Sequence, residues 1–347
     1  MKKLTKLLAL LAVLALFAAA CGDDDETTDA ASDSTSDSAP AEEEDEMADG
    51  EMAEEEQHDD EDHDHDDEDH EHDDEDAADD DMADEGVTVD AVRIVSLSPT
   101  ATEMLFAIGV GPLVVGVDQF SNYPAETADV ENTGLDGFTI NVEAIAALEP
   151  THIFMQSNEA AEAFRTLGID VVENDAAATF DDVYTQIEQM GVVTGNVGEA
   201  AELVLQMQTD IDGLLGSLPD VTGQTFYHEL TPDYYSATSS TFIGEVYGLF
   251  GLVNIADEAD PDGFGFPQLS EEYIVDSDPN FIFLADTICC AENADTVGAR
   301  PGWEGLQAVT GGNVVELNDD IVSRWGPRVV DFIAVIAGAI ESATVDA

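Results

Sequence analysis

The sequence predicts an α/β protein of two lobes, each built on a mostly parallel sheet, with one long helix bridging them. Three observations carry this. From Val92 onward, short β-branched and aromatic runs alternate with helical stretches. An uninterrupted helical pattern over 197–218 separates the two halves, and at 1.5 Å per residue it is about 30 Å long. Beyond it the second half repeats the style of the first.

The elements follow in order. Residues 92–97 read as a buried strand, broken by Ser98 and Pro99. Thr100 with Glu103 three positions on reads as a capping box. It opens a helix whose apolar face is Met104, Leu105 and Ile108 and which Gly109 ends. Residues 113–117 are a second strand, followed by the turn Ser121-Asn122-Tyr123-Pro124. A helix over 141–148 precedes strands at 151–155 and 169–172. Residues 180–190 form the helix before the long one. In the second half, strands are expected at 224–230, 280–284 and 314–317, with helices at 241–251, 270–276 and 327–342. Two lobes of this kind leave a cleft between them, where a small ligand binds.

The N-terminus reads differently. Lys2, Lys3 and Lys6 precede an apolar run that ends at Ala20, just before Cys21. A basic start, a short apolar core and small residues at the boundary make a secretory signal. The run is short for a membrane span, which needs about 20 apolar residues. Ala18-Ala19-Ala20-Cys21 resembles a lipobox, in which the cysteine is acylated and becomes the mature N-terminus. Ordinary cleavage near Ala20, with Cys21 incidental, is the alternative. The expected domains are a signal over 1–21, a tether over 22–90, and a binding domain over 91–347. That domain divides into an N-lobe at about 91–193, the bridging helix at about 197–218, and a C-lobe at about 223–347. No later stretch reads as a membrane span, so membrane attachment is expected through the lipid alone.

Residues 22–86 hold 36 Asp and Glu, no Lys or Arg and no aromatic residue. With little to bury and strong self-repulsion, such a segment is expected to be extended and disordered. The acidity continues beyond it. Residues 87–347 carry 43 Asp and Glu against five Arg, a net charge of −38. That excludes nucleic acid and anionic lipid as direct partners. It also implies a saline habitat, where counterions screen the repulsion.

His58, His63, His65, His70 and His72 lie among the tether's aspartates. Imidazole and carboxylate ligate zinc, nickel and copper, so this stretch is either a weak, unselective metal sponge or a solvated acidic spacer. Outside it only His152 and His228 remain, both in strand patterns, too few for a buried multi-histidine zinc site. Cys289 and Cys290 are adjacent. Outside the cell such a pair is either oxidised to a disulfide or present as two thiols. No Ser-His-Asp arrangement, His-Glu-x-x-His motif or phosphate loop appears, so no enzymatic activity is expected.

Several stretches then carry a resemblance. They are 93–103 (Arg-Ile-Val-Ser-Leu-Ser-Pro-Thr-Ala-Thr-Glu), Ser121-Asn122-Tyr123-Pro124, and 141–150 (Asn-Val-Glu-Ala-Ile-Ala-Ala-Leu-Glu-Pro). Thr241-Phe242-Ile243-Gly244, 266–272 (Phe-Pro-Gln-Leu-Ser-Glu-Glu) and 324–328 (Arg-Trp-Gly-Pro-Arg) follow in the same order. Over nearly all of 92–342 the chain resembles the cobalamin and iron-siderophore binding proteins of ABC importers. The resemblance implies the class III periplasmic-binding-protein fold and a monomeric extracytoplasmic receptor. Its partners would be a permease, an ATPase and a small metal chelate, a cobalt or iron complex carried as cargo with no resident cofactor. Phe120 and Phe266 match the aromatic positions that clamp the ligand, with Tyr123 beside the first. Asp320 and Arg324 match polar contacts to the ligand's edge, although a plain surface salt bridge fits that spacing equally. Glu143 and Glu272, one per lobe, match the carboxylates that dock onto permease arginines. Two tryptophan positions of the cobalamin member fall here on Leu135 or Phe138, and on Gln156. That departure leaves haem or a ferric siderophore as alternatives to a corrinoid. A free-metal receptor or a metal-storage lipoprotein using the histidine stretch is the remaining alternative. Tyr234, Tyr235 and Trp303 are further aromatic candidates without an assigned place.

Overall fold

A computed structural model describes residues 92–131 and 135–345. The expected signal, the lipidation at Cys21, the acidic tether and its five histidines lie outside the described residues. Among the described residues, no helix is long and apolar enough to cross a membrane.

The first lobe runs β1 (Ile94–Ser96), α1 (Pro99–Ala107), β2 (Val114–Val117), α2 (Val142–Ala146), β3 (His152–Met155), α3 (Ala160–Thr166) and β4 (Asp170–Glu173). Its four strands form an all-parallel sheet of order β2-β1-β3-β4. Then come α4 (Phe180–Thr194) and α5 (Val197–Leu215), packed against each other. Thr179 and Asp182 form a reciprocal capping box at the start of α4, and Gly195 ends it at φ 82°.

The second lobe runs β5 (Thr225–Glu229), α6 (Phe242–Gly248), β6 (Val253–Asn254), α7 (Glu271–Ser277) and β7 (Phe281–Leu284). The short helices α8 (Thr287–Cys290), α9 (Ala294–Gly298) and α10 (Gln307–Thr310) lead to β8 (Val314–Glu316). After it come α11 (Asp319–Val322) and the closing helix α12 (Val329–Val345). This sheet is also all parallel, in the order β6-β5-β7-β8, the same arrangement as the first. The two-lobed α/β fold expected from the alternation is therefore what the chain adopts.

Strand side chains explain the layering. On β1 and β3, Ile94 and Phe154 enter one core cluster, while Val95, Ile153 and Met155 enter another beneath α2 and α3. On β5 and β7, Phe226, Phe281 and Phe283 join the first cluster, while Tyr227, Ile282 and Leu284 join a third. Alternation at period two thus feeds two faces, as a parallel sheet covered on both sides requires. The first cluster takes in both lobes and also holds Val183 and Ile187 of α4, Val204 and Ile211 of α5, and Ile333 and Ile336 of α12.

The start of α1 corrects the expected capping box. Ser98, not Thr100, is the N-cap: its hydroxyl accepts from the Ala101 N–H, with Pro99 in the first helical turn. Glu103 does not fold back on the cap, because two arginines hold its carboxylate elsewhere.

Candidate functional site

Every strand in both sheets is parallel, so each lobe collects its loops at the carboxyl ends of its strands, where open α/β sheets bind ligands. Chain reversal places 118–123 after β2 and 317–324 after β8 at these ends. The two loops touch: Asn122 Nδ2 donates to Asp320 Oδ2 at 2.7 Å. The strand-end edges of the two lobes therefore meet here.

At that meeting point Arg324 is buried and donates four hydrogen bonds. Nη1 donates to Glu103 Oε1 at 2.8 Å and to Asn122 Oδ1 at 2.9 Å. Nη2 donates to the Phe120 carbonyl at 3.1 Å and to Asp320 Oδ1 at 2.7 Å. Arg328 grips the same Glu103 with two further bonds of 2.8 and 2.6 Å, and its guanidinium lies 4.1 Å from the Tyr123 ring centroid. Burial opposes the charge on Arg328, but the Glu103 bonds outweigh it and its pKa rises. The Glu103 side chain is 1% exposed. Asp320 and Arg324, weighed as ligand contacts or as a plain surface pair, are bonded to each other at the open edge of a buried knot that ties α1 to the C-lobe.

Around the knot stand rings. Phe120 is 39% exposed and Tyr123 44%. Phe138, also exposed, meets Phe120 edge-on at 6.2 Å. A Cβ at Gly137 would run into the Leu97 carbonyl, so only glycine lets this segment lie so close to the end of β1 and carry Phe138 to the rim. Leu135, the other position weighed for that place, is buried in the core. Beneath the loop, Thr102 Oγ1 bonds both Ser96 Oγ and Ser121 Oγ at 2.8 Å. Asp118 is buried there too. Its pKa is pushed up to about 6 by burial, against the lowering effect of bonds from Ser121.

Other expected residues fall as follows. Phe266 is half-buried against the core cluster shared by the lobes, in the loop that pairs Tyr235 with Gln268. Glu143 and Glu272 are both exposed in the first turns of α2 and α7, behind the side-chain caps Asn141 and Ser270. Cys289 and Cys290 are paired with each other. His152 sits beside Thr151 at 2.8 Å, while His228 is fully buried against Tyr247, with its pKa lowered to about 3 by burial. Among the described residues no three His, Cys, Asp or Glu side chains group as a metal set.

Trp303 and Tyr234 belong to a second knot inside the C-lobe. Arg300 binds Glu229 with two bonds of 2.6 Å and Glu292 at 2.9 Å, and its guanidinium lies 4.7 Å from the Trp303 ring centroid. Asp286 beside them is fully buried, and no N–H or O–H reaches its carboxyl with hydrogen-bond geometry. Burial first, then the charges of Glu229 and Glu292, push its pKa up to about 8. Apart from the Asp320–Arg324 spacing, the pairings of Glu103 with Arg324 and of Glu229 with Arg300 have no local sequence signal. Their partners lie 221 and 71 residues apart in the chain.

Comparison with known proteins gives these residues a setting. The chain is 30% identical over 259 residues to the uncharacterized ABC transporter substrate-binding lipoprotein YvrC of Bacillus subtilis, covering 72% of this chain and 79% of that one. It is 30% identical over 271 residues to a cobalamin-binding protein of Halobacterium salinarum, covering 75% and 72%. The crystal structure of the periplasmic vitamin B12 binding protein BtuF of Vibrio cholerae superposes with a TM-score of 0.60 at 26% identity, over 73% of this chain and 97% of that one. Residues 94–321 match the periplasmic binding protein family model. The chain belongs to that family, whose members are extracytoplasmic substrate-binding components of ABC importers rather than enzymes.

Proposed function

We propose that this protein is a lipid-anchored receptor that takes a metal chelate, a corrinoid foremost, into the groove between its strand-end loops and delivers it to a permease. The observation that carries this is the juxtaposition at the lobe junction. Exposed Phe120, Tyr123 and Phe138 stand beside Arg324 and Asp320, where the loops after β2 and β8 meet. Rings offer a flat ligand much contact area with few rotamers to freeze. Arg324 and Asp320 supply a donor and an acceptor for amide edges. Phe266 completes the aromatic set from the C-lobe. The relatives named for cobalamin and vitamin B12 support this ligand class.

Glu143 and Glu272 are the proposed docking points for permease arginines. Each is exposed on a capped first turn, one per lobe, so a partner that pairs with both is held in one orientation. Calorimetry of the full chain against cyanocobalamin, haemin and a ferric siderophore panel tests the receptor reading. One-to-one binding of cyanocobalamin, weakened at least tenfold by Phe120→Ala, is expected. Binding to none of these ligands overturns it.

A further inference from the structure

We infer that the turn Thr287–Cys290 is another wall of the ligand groove, with Ile288 and the Cys289–Cys290 pair forming an apolar, sulfur-bearing platform. This rests on the receptor reading above. The turn follows β7, a central strand of the second sheet, and so lies at the same carboxyl-end edge as the 317–324 loop.

It is fastened to that loop. Asp319 accepts from the Thr287 N–H at 2.9 Å, the Ile288 N–H at 3.1 Å and the Cys289 N–H at 2.8 Å. The Thr287 hydroxyl donates to the Leu317 carbonyl at 2.6 Å. The next residue, Asp320, bridges to Asn122 across the lobes and binds Arg324. From the other side, the Cys290 and Glu292 N–H groups donate to the Asp286 carbonyl, and Glu292 is held by Arg300. Ala291 closes the turn in the left-handed region at φ 61°.

Yet what this anchored turn shows to solvent is apolar. Ile288 is 62% exposed and Cys289 is exposed too, in a domain whose surface charge is overwhelmingly negative. A surface fixed in advance binds without losing further freedom, and sulfur is soft and polarisable against flat π faces. Asp319, Asp320 and Glu292 surround the turn, so it suits an uncharged or cationic planar metal macrocycle and disfavours a chelate edged with free carboxylates.

The test is titration of the full chain with cyanocobalamin and haemin by calorimetry. It compares wild type, Ile288→Asp, the double variant Cys289→Ser/Cys290→Ser, and wild type held in a phosphine reductant. Leu205→Asp, an exposed position on α5, is the control, and melting curves confirm folding. The expected result is cyanocobalamin bound in preference to haemin. Ile288→Asp should weaken it at least tenfold and the serine variant and reductant about threefold each, with no change for Leu205→Asp. Should the serine variant fail to fold, Ile288→Asp and the reductant decide. Undiminished affinity in these arms, with wild type binding normally, overturns the platform and leaves the receptor intact. Preference for haemin overturns its charge selectivity. Wild type that binds neither probe overturns the platform, and the siderophore panel then decides the receptor reading.

Discussion

Two nearly inaccessible glutamates of this domain meet arginines, and the surroundings treat them in opposite ways. Glu103, at the junction of the lobes, takes two guanidiniums, and Asp320 balances the charge at the open edge. Glu229, inside the C-lobe, shares one guanidinium with Glu292 and lies beside Asp286, so acid is in excess. Burial and the two glutamates favour the protonated form of Asp286 there. The balanced knot lies where the loops after β2 and β8 meet, and it keeps one carboxylate, Asp320, at the surface. In the acid-rich knot the Arg300 guanidinium lies over the Trp303 and Tyr234 rings, and Glu229 is fully buried. On the reading proposed above, charge balance at the junction leaves Arg324 and Asp320 free to re-pair with a ligand, whereas the acid-rich knot ties elements within the C-lobe.

Breaking the acid-rich knot should have the largest effect. Arg300→Met strands two carboxyl groups, Glu229 and Glu292, and should cost about 3–5 kcal/mol in urea unfolding, the range for halving a buried pair. A loss below about 1 kcal/mol, typical of a surface pair, would mean that the site is wet. Glu103→Gln should cost less, about 1.5–3 kcal/mol, because the amide still accepts a bond and Asp320 still faces Arg324. If this variant proves the more destabilised of the two, the contrast drawn between the knots is inverted.

The smallest effect sharpens the comparison through pH. Asp118 lies at the same junction, buried, with its folded pKa raised to about 6 from 3.8. Its ionisation opposes folding: the penalty is absent below pH 4, grows between 4 and 6, and is complete above. Two pKa units correspond to about 3 kcal/mol, less about 1 kcal/mol for each Ser121 bond that the amide makes less well. Asp118→Asn should therefore stabilise the fold by about 1–2 kcal/mol at pH 8 and by nothing at pH 3.5. Destabilisation at pH 8 would show that the ionised carboxylate is the form the loop needs.

The architecture was legible in the sequence because each strand is a short run that local patterning exposes. Phe281-Ile282-Phe283-Leu284 is buried on both faces and reads as nothing else. Helix ends were less legible. The Thr100–Glu103 spacing imitates a capping box, while Ser98-Pro99 is the true signal, and only the partners of Glu103 reveal which applies. Of the knots only the Asp320–Arg324 spacing could be read, because one glutamate among 79 acidic residues carries no mark until the fold brings an arginine to it from far along the chain. Phe138 reached the rim through Gly137, a contact between backbones that no side-chain pattern encodes.

The hydrophobic cluster that runs unbroken from β1 through α4, α5 and α12 to β7 has a mechanical consequence. Swinging the halves widely apart would tear open one contiguous oily interior and wet its phenylalanines. On the proposed reading, cargo then enters and leaves through small adjustments of the rim, and a transporter meets nearly the same outline whether the molecule is laden or empty.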